Sequence, residues 1–317
     1  MSSYKRIIWS ANDPGGANAV VPVVEALLSR GDEVVGVVTG PALTVAQQKN
    51  LPHAPEPPWR PDVFLSGTSA ALDSVDKKLL GALQGVPSVY VMDFWNNYRA
   101  RFAEVLPTKL CVIDEESKRD AIADGIPPQS IKVTGNPHFD HFADRITRTR
   151  EDLALVLFIS QPIRADDGGK YGFDEFRALE DVIASLPAGY RLGLRLHPRD
   201  ERRKFDAYLN ERVFLTEGEL EETLSRAGLV IGMFSPVLIQ AAVAGKAVLS
   251  YEPGLVGEDP LPTNRLRLTR CAHSAEELRV ALELYSFGTW SASRVDIRSL
   301  WPSGATERVV QVVDSLR

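Results

Sequence analysis

The stretch IIWSANDPGGANAVVPVVEALLSRG, residues 7–31, predicts a strand, a glycine-rich turn and a helix in immediate succession. The apolar residues 7–9 form the strand, and the helix over 14–30 carries its apolar side chains on one face. Pro14 suits the first helical turn, where the N–H that it lacks would have no partner, and Gly31 ends the helix. A strand that leads directly into a helix is the repeating unit of parallel sheets.

The same alternation continues along the 317-residue chain. Further strands are predicted over 34–38, 63–65, 88–92, 110–113, 131–133, 155–159, 192–196, 213–215, 229–231 and 247–249. Helices are predicted over 41–49, 72–83, 114–123, 173–186, 201–209, 219–226, 236–244, 275–285 and 306–316. Because each return to a parallel strand needs a crossover helix, this order predicts an α/β fold with two parallel sheets.

We therefore expect two Rossmann-like domains that face each other across a cleft. Ligands of such sheets bind outside the carboxyl ends of the strands, and two facing domains would direct those ends into one shared space. The first domain is predicted over 1–145 and the second over 146–300. The last segment, 301–317, is predicted to be a helix that can cross back to the first domain.

Composition excludes several classes of protein. The net charge of −6 leaves no basic surface field for a nucleic-acid backbone. No apolar run approaches the ~20 residues that span a bilayer, so membrane contact is at most peripheral. The N-terminus lacks a signal-peptide pattern, and we expect a cytoplasmic protein. Cys111 and Cys271 lie far apart in apolar, strand-like contexts, which predicts buried structural thiols.

The loop over 12–18, NDPGGAN, is the first candidate site. Gly15 and Gly16 allow the backbone to approach a ligand closely, and the helix that follows offers free N–H groups to an anion. Asp13 is then a candidate general base. The alternative is a tight turn that Asn12 or Asp13 merely caps.

A second candidate follows the strand over 88–92. Asp93 lies at the carboxyl end of that strand, and aromatic and amide side chains come after it. Aromatic rings stack on the C–H faces of a sugar, while amides bond to its hydroxyls, so Trp95, Asn96 and Tyr98 are candidate acceptor-binding residues. The alternative is a packed loop with arginines at the surface.

Residues 133–140, VTGNPHFD, close the first half of the chain. An asparagine followed by proline turns the chain and disfavours helix at the asparagine. We therefore predict a hinge at Gly135 and Asn136. Contact of a ligand with the Gly135 backbone remains the alternative.

Two candidate sites begin the second half. Ser160 and Gln161 follow its first strand, and the charged, glycine-rich loop over 164–172 is placed to reach a phosphate or to move as a lid. His197 and Arg199 flank Pro198 at the end of the strand over 192–196. Together they can neutralise a leaving phosphate. The other histidines, His273 among them, are expected at the surface or the hinge.

The segment over 232–248 predicts a strand end, a small polar turn, a helix of small residues and a glycine that ends it. Ser235 and the first N–H groups of this helix form a candidate anion site, and Pro236 suits the first helical position. The alternative is a serine that only caps the helix. The sequence has no HExxH, CxxC or DxD motif, so no metal site is predicted.

These motifs together resemble the GT-B glycosyltransferase superfamily. The segment over 232–248 resembles the donor-phosphate helix of that family. The His197-Pro198 pair resembles the motif of bacterial sialyl- and polysialyltransferases and of CDP-glycerol-type transferases. The segment over 133–137 resembles the hinge of UDP-N-acetylglucosamine 2-epimerases. Where many members have a glutamate for the donor ribose, this chain has Gln240, which can bond a hydroxyl without charge.

The resemblance implies transfer of a sugar from a nucleotide sugar to an acceptor hydroxyl, without metal or further cofactor. Asp13 or Asp93 would deprotonate the acceptor, with Asp13 preferred, and His197 would act on the leaving phosphate. The residues expected to bind the donor and its phosphates are Gly15, Gly16, Ser160, Gln161, Arg199, Ser235, Pro236, Gln240 and Glu252. The expected partners are a nucleotide sugar and a carbohydrate or small-molecule acceptor, and no nucleic acid. The alternatives are a non-hydrolysing nucleotide-sugar 2-epimerase and a binding protein without turnover.

Overall fold

The computed structural model describes residues 4–102, 105–146, 151–290 and 301–316, apart from the side chains at 141, 143–145 and 167. The chain forms two compact units. Unit 1 comprises Met1–His141 together with Leu300–Arg317, and unit 2 comprises Phe142–Ser299. None of the helices in the described residues is long and apolar enough to cross a membrane.

Unit 1 contains a parallel sheet of six strands in the order β2-β1-β3-β4-β5-β6. Its strands are β1 (Arg6–Ser10), β2 (Glu33–Gly36), β3 (Val63–Gly67), β4 (Ser88–Val91), β5 (Lys109–Val112) and β6 (Ile131–Val133). Its helices are α1 (Pro14–Ser29), α2 (Gly40–Gln48), α3 (Val75–Ala82), α4 (Glu115–Ala123) and α5 (Pro137–Ile146), of which α5 continues into unit 2.

Successive residues of the unit 1 strands point to opposite faces of the sheet, as the pleat requires. Ile7 and Trp9 pack with α1 on one face, whereas Ile8 packs with α3 and α4 on the other. The last helix, α12 (Ala305–Asp314), packs against α1 on the first of these faces. The C-terminal segment is therefore part of the core of unit 1.

Unit 2 contains a second parallel sheet of six strands, in the order β12-β11-β10-β7-β8-β9. Its strands are β7 (Asp152–Ile159), β8 (Arg191–Arg195), β9 (Val213–Leu215), β10 (Ala227–Gly232), β11 (Ala247–Tyr251) and β12 (Arg270–Ala272). Its helices are α6 (Ile163–Asp167), α7 (Glu175–Ser185), α8 (Leu220–Arg226), α9 (Pro236–Val243), α10 (Pro262–Arg265) and α11 (Ala275–Ser286).

The strand order places a switch point in each sheet. In unit 1 the chain leaves β1 towards β2 on one side and towards β3 on the other. In unit 2 the corresponding neighbours are β7 and β10. Ligands of open α/β sheets bind where the loops at such a switch point diverge, outside the carboxyl ends of the strands. These two edges are where a functional site is expected.

The predicted fold class, α/β with two Rossmann-like domains, is confirmed, because each unit is built on its own six-stranded parallel sheet. The predicted helix over 201–209 is wrong, because this charged stretch has a single buried apolar anchor, Phe205, and contains only the short 3-10 turn Asp206–Tyr208. Helix α6 lies in the predicted loop over 164–172, and α5 follows directly on the predicted hinge.

The two cysteines differ. Cys111 is fully buried in β5, where burial raises the pKa of its thiol to about 12, as expected of a structural thiol. Cys271 is exposed on β12, and its predicted burial is wrong. The reason is that β12 forms the edge of the unit 2 sheet and has a paired strand on one side only.

Candidate functional site: two carboxyl edges

Asp13 lies after β1 at the edge of unit 1 and is held by two donors. Its Oδ1 accepts a hydrogen bond from Asn12 Nδ2 at 2.7 Å, and its Oδ2 accepts one from the Ala70 N–H at 2.7 Å. Although Asp13 occupies the N-cap position of α1, its side chain makes no capping bond to that helix in the described structure. Since each carboxylate oxygen accepts more than one hydrogen bond, Asp13 can also accept from a ligand hydroxyl.

Asp93 lies after β4 and faces the same loops. Its Oδ1 accepts a hydrogen bond from Thr68 Oγ1 at 2.7 Å and lies 3.5 Å from Arg101 Nη1. The side chains of Asp93 and Arg101 are 21% and 12% exposed, so the pair is largely shielded from water. Asn136 Nδ2 is 3.5 Å from the Asp93 carbonyl oxygen, which links the predicted hinge to this loop.

Gly16 is required by packing against the backbone inside unit 1, whereas Gly15 lies against a side chain. A Cβ at Gly16 would lie 2.2 Å from the Thr68 carbonyl oxygen, and one at Gly15 would lie 2.1 Å from Asp93 Oδ2. The Asp93 carboxylate therefore lies beside the N-terminal turn of α1, where the sequence predicted a phosphate. The predicted contact of Gly15 and Gly16 with a donor phosphate stays a prediction.

Lys77 was missed by the sequence analysis and lies under the same loops. Its Nζ donates to the carbonyl oxygens of Ser69 at 2.7 Å and of Ala71 at 2.5 Å, and its side chain is 6% exposed. Burial lowers the pKa of Lys77, although Asp76, 4.0 Å away, opposes the shift. Local sequence could not identify Lys77, because its contacts with the preceding loop form only when α3 packs beneath that loop.

The predicted acceptor residues divide into buried rings and an exposed amide. Trp95 and Tyr98 are each 2% exposed. The Trp95 indole donates to Asp114 Oδ2 at 2.8 Å and packs against Phe139. This burial contradicts the prediction that the two rings stack on a ligand. Asn96 is exposed and retains access to one.

Gly135 and Asn136 connect β6 to α5. Gly135 has φ +83°, which only glycine adopts readily, and a Cβ there would lie 3.0 Å from the Ala305 side chain. Asn136 Oδ1 accepts from the His138 N–H at 3.0 Å, so it caps α5. The two residues form a rigid start to the connecting helix, and their predicted role as a hinge remains a prediction.

At the edge of unit 2, a buried ionic network holds the loop after β8. Asp200 accepts hydrogen bonds from Ser160 Oγ at 2.7 Å, His197 N–H at 2.9 Å and Lys204 Nζ at 2.6 Å. Lys204 also pairs with Glu175 at 2.8 Å. Burial alone would raise the pKa of Asp200, but these donors outweigh burial and lower it. Ser160 therefore serves this network, which sequence reasoning did not find.

The network fixes the orientation of His197. The Arg199 N–H donates to His197 Nδ1 at 3.2 Å, which assigns the proton of the neutral ring to Nε2. Burial lowers the pKa of His197, and the charge of Arg199 lowers it further. The imidazole is therefore a neutral N–H donor at pH 7, whereas the sequence analysis expected it to help neutralise charge.

Arg199 forms a bidentate ion pair with Asp166 of α6, with an Nη1–Oδ1 distance of 2.9 Å. The side chains are 63% and 39% exposed. Exposed pairs contribute ~0–1 kcal/mol, so the guanidinium can exchange Asp166 for a phosphate at small cost. Asp166 was missed because its segment was predicted to be an irregular loop.

The N-terminus of α9 offers fewer free donors than predicted. Pro236 has no N–H, the Val237 N–H donates to Ser235 Oγ at 3.2 Å, and the Leu238 N–H donates to the Ser235 carbonyl oxygen at 2.9 Å. Ser235 is thus a helix cap. An anion here would interact with the helix dipole and the Ser235 hydroxyl more than with free backbone donors.

Gln161, Gln240 and Glu252 complete the predicted donor set. Gln161 Oε1 accepts from the Phe234 N–H at 3.0 Å, which joins the loops after β7 and β10 at the switch point. Gln240 is half-buried in the second turn of α9. Glu252 follows β11 and is fully buried, which raises its pKa to about 8. At pH 7 its carboxyl group therefore carries a proton.

The two edges offer complementary chemistry. Unit 1 presents the carboxylates of Asp13 and Asp93, which can accept a proton from a hydroxyl. Unit 2 presents the Nε2–H of His197 and the guanidinium of Arg199, which can stabilise a developing negative charge.

The chain was compared with known proteins by sequence and by structure. No protein-family model matches the sequence, and no curated protein does. Solved structures match over nearly the full length of both chains. HepE of Anabaena, in complex with UDP and glucose, has a TM-score of 0.63 at 13% identity and covers 99% of each chain. The UDP-GlcNAc 2-epimerase of Neisseria meningitidis, bound to UDP-GlcNAc, has a TM-score of 0.70 at 13% identity, covering 97% of this chain and 99% of its own.

The UDP-GlcNAc 2-epimerase of Methanocaldococcus jannaschii has a TM-score of 0.69 at 14% identity and covers 98% of this chain and 99% of its own. At these identities the similarity establishes a shared fold.

Proposed function

We propose that the chain is a glycosyltransferase that moves a sugar from a UDP-sugar to an acceptor hydroxyl. The observation that carries the proposal is the ordered set of donors at the edge of unit 2. There the Asp200 network holds His197 with its Nε2–H free to donate, and Arg199 lies two residues away in an exchangeable ion pair. The choice of uridine is supported by two of the structural neighbours, HepE in complex with UDP and glucose and the Neisseria meningitidis epimerase bound to UDP-GlcNAc.

In the proposed reaction the acceptor oxygen forms a bond to C1 of the sugar. The bond from C1 to the β-phosphate oxygen breaks, and UDP leaves with the electron pair. His197 and Arg199 donate to the phosphate oxygens as their charge grows, and one such donor is typically worth ~10²–10³ in rate. The reaction as proposed uses these protein donors at the phosphate rather than a metal ion.

The acceptor proton passes to a carboxylate of unit 1. We assign this role to Asp13, because the two hydrogen bonds described for its oxygens come from the neutral donors Asn12 and Ala70, whereas Asp93 pairs with Arg101. Asp93 is the alternative base. General-base catalysis of this kind contributes ~10²–10⁴ in rate.

A second candidate function is epimerisation at C2 of a UDP-sugar. The full-length similarity to UDP-GlcNAc 2-epimerases favours it, and the carboxylates of Asp13 and Asp93 could move a proton on the sugar ring. An epimerase requires no acceptor, which separates the two functions experimentally.

The test incubates the purified chain with UDP-glucose and UDP-GlcNAc, with and without a panel of simple sugars and glycosides. UDP release and the proton NMR spectrum of the sugar are followed together. Transfer predicts UDP release that depends on an acceptor and a new glycosidic signal. Conversion of UDP-GlcNAc to its C2 epimer without acceptor would establish the second candidate instead.

A thermal-shift screen with UDP, GDP, CMP, CDP and dTDP tests the donor class. A ligand that binds only the folded chain raises its melting temperature by mass action. We expect UDP to stabilise the wild type and to lose much of this effect in His197→Ala. UDP binding without turnover of any UDP-sugar would indicate a binding protein, and no shift with any nucleotide would refute a nucleotide-sugar function.

A further inference from the structure

Three side chains with metal-binding chemistry converge outside the proposed transfer machinery. Glu252 and Asp259 lie on the loop that follows β11, and His273 lies directly after β12. One potential ligand atom from each residue lies within 4.8 Å of the other two. Because β11 and β12 are parallel neighbours, their carboxyl ends bring these residues to one edge of the sheet although they are distant in sequence.

Glu252 is the unusual member of this cluster. Its side chain is fully buried, and no donor in the described part of the chain bonds to its Oε2. Its Oε1 lies 3.4 Å from Ser250 Oγ, a weak hydrogen bond at best. A buried, unpartnered carboxylate is costly unless it takes up a proton or pairs with a cation.

The unsatisfied oxygen points into the cluster. Glu252 Oε2 lies 3.9 Å from His273 Nδ1, and Asp259 contributes a second carboxyl group to the same cluster. A cation placed among the three groups would give Oε2 the partner that it lacks. The position of the unpartnered Oε2 therefore points to a cation independently of the grouping of the three residues.

The backbone around the cluster is held in place. The Glu252 N–H donates to the Ala272 carbonyl oxygen at 2.9 Å, and the Gly254 N–H donates to that of His273 at 2.7 Å. Asp259 Oδ1 accepts from the Leu261 N–H at 2.8 Å, which leaves Oδ2 for a ligand. Asp259 and His273 are half-buried, so solvent reaches both side chains.

We propose that Glu252, Asp259 and His273 bind one divalent transition-metal ion, Zn²⁺ or Mn²⁺. A set of two carboxylates and one imidazole suits such ions better than Ca²⁺ or Mg²⁺, which prefer oxygen ligands alone. Bond lengths of about 2.0–2.2 Å place ligand atoms about 3–3.5 Å apart, so atoms that lie within 4.8 Å of one another need to approach by at most about 2 Å. The ion joins the loops after β11 and β12 and supplies a partner for the buried Glu252 Oε2.

The site is distinct from the proposed transfer chemistry, which uses His197 and Arg199. The proposed metal site does not depend on the proposed function, because the contacts that indicate it do not involve a nucleotide sugar. No short sequence motif marks it, since the three ligands come from two loops. His273, predicted to be an ordinary surface or hinge residue, is half-buried within it.

The test uses full-length protein treated with EDTA and dialysed. Binding of Mn²⁺ is measured by loss of the free-ion electron paramagnetic resonance signal, and binding of Zn²⁺, Mg²⁺ and Ca²⁺ by calorimetry. We expect one Mn²⁺ per chain, tighter than Mg²⁺ or Ca²⁺, and a higher melting temperature with Mn²⁺ bound.

The variants are Asp259→Asn, His273→Gln and Glu252→Gln. Asp259→Asn keeps the acceptor for the Leu261 N–H, and Glu252→Gln preserves shape while removing the buried acid, so both should fold. Each should weaken Mn²⁺ binding by at least about tenfold. The matched controls are His53→Gln and Glu217→Gln, which replace exposed residues elsewhere and should bind like the wild type.

Absence of Mn²⁺ and Zn²⁺ binding at millimolar concentration, with the variants correctly folded by circular dichroism, would overturn the proposal. So would binding that all three substitutions leave unchanged. Neither result bears on UDP binding, which the thermal-shift screen measures separately.

Discussion

The carboxyl edges of the two sheets differ in how their polar groups are held. In unit 1, Asp13 and Asp93 accept hydrogen bonds from short neighbours such as Ala70 and Thr68, and they lie in loops packed tightly enough to require Gly16. In unit 2, a buried ionic network centred on Asp200 holds the backbone of His197, while Arg199 forms an ion pair with Asp166 at the surface.

In the proposed reaction, this difference corresponds to two roles. A proton acceptor needs a carboxylate that is held in place by local hydrogen bonds, and Asp13 has such bonds to Asn12 and Ala70. A group that meets a leaving phosphate needs a fixed donor and a cation that can change partner, and unit 2 provides both. We call the carboxyl edge of unit 1, with Asp13 and Asp93, the acidic edge, and that of unit 2, with His197 and Arg199, the donor edge. Each can be tested by substitution of one of these residues.

The largest effect is expected from Asp13→Asn. Asparagine keeps the size and the acceptor for Ala70 but cannot take a proton, so kcat should fall by ~10³ while donor affinity stays within about twofold. The measurement is acceptor-dependent UDP release under saturating donor. Asp73→Asn, at an exposed aspartate, is the control.

Asp93→Asn separates the two carboxylates. If Asp13 is the base, the Asp93 substitution should cost less than the Asp13 substitution, because Asp93 would act only by orienting Thr68 and Arg101. The reverse order would transfer the role of base to Asp93. Equal losses with unchanged melting temperatures would mean that the acidic edge works as a unit.

His197→Ala is expected to have the next largest effect. Removal of one preorganised donor at a developing charge costs ~10² or more in kcat. UDP should also raise the melting temperature less than in the wild type, whereas His53→Ala should behave normally. Full activity in His197→Ala would remove the donor edge of unit 2 from the mechanism.

The sequence predicted the architecture well because its signals are local and repeated. Alternating strands and helices, each ended by glycine or proline, require parallel sheets regardless of detail. The errors occurred where tertiary contacts override local pattern. The helix predicted over 201–209 does not form, because Lys204 turns inward to Asp200 and Glu175 instead of lying on a solvated helix face.

The positions of the candidate residues in the fold were predictable from the sequence, whereas their contacts were predictable only in part. A polar residue directly after a buried strand must lie at the carboxyl edge, which is why Asp13, Asp93 and His197 were identified. Burial of Trp95 depends on contacts with Asp114 and Phe139, which no local pattern encodes. The role of Asp200 was also missed, because its hydrogen-bond donors come from separate parts of the fold.

Glu252→Gln should change stability by about 2–4 kcal/mol at high pH. The pKa of Glu252 is raised from 4.5 to about 8 in the folded chain. Between these values the folded chain keeps a proton that the unfolded chain releases, so wild-type stability falls as pH rises from about 4.5 to 8 and then levels off.

The substitution of Glu252 by glutamine removes this loss of stability with rising pH. In buffer with a chelator, the melting temperature of Glu252→Gln minus that of the wild type should therefore increase from pH 5 to pH 8. Glu217→Gln, at an exposed glutamate, should show no such trend. A difference that does not vary with pH would mean that Glu252 is ionised at neutral pH, and that the electrostatics of this side of unit 2 have been misjudged.

The smallest effect is expected from Asp166→Asn, which releases Arg199 from its surface ion pair. Such pairs contribute ~0–1 kcal/mol, so UDP affinity should improve by at most about fivefold, with little change in melting temperature. Glu217→Gln is the control, because it breaks the exposed pair with Arg202 in the same unit. Weaker UDP binding in Asp166→Asn would mean that Asp166 holds Arg199 in its working position. The surface ion pair would then fix the donor edge in the same way as the buried network of Asp200.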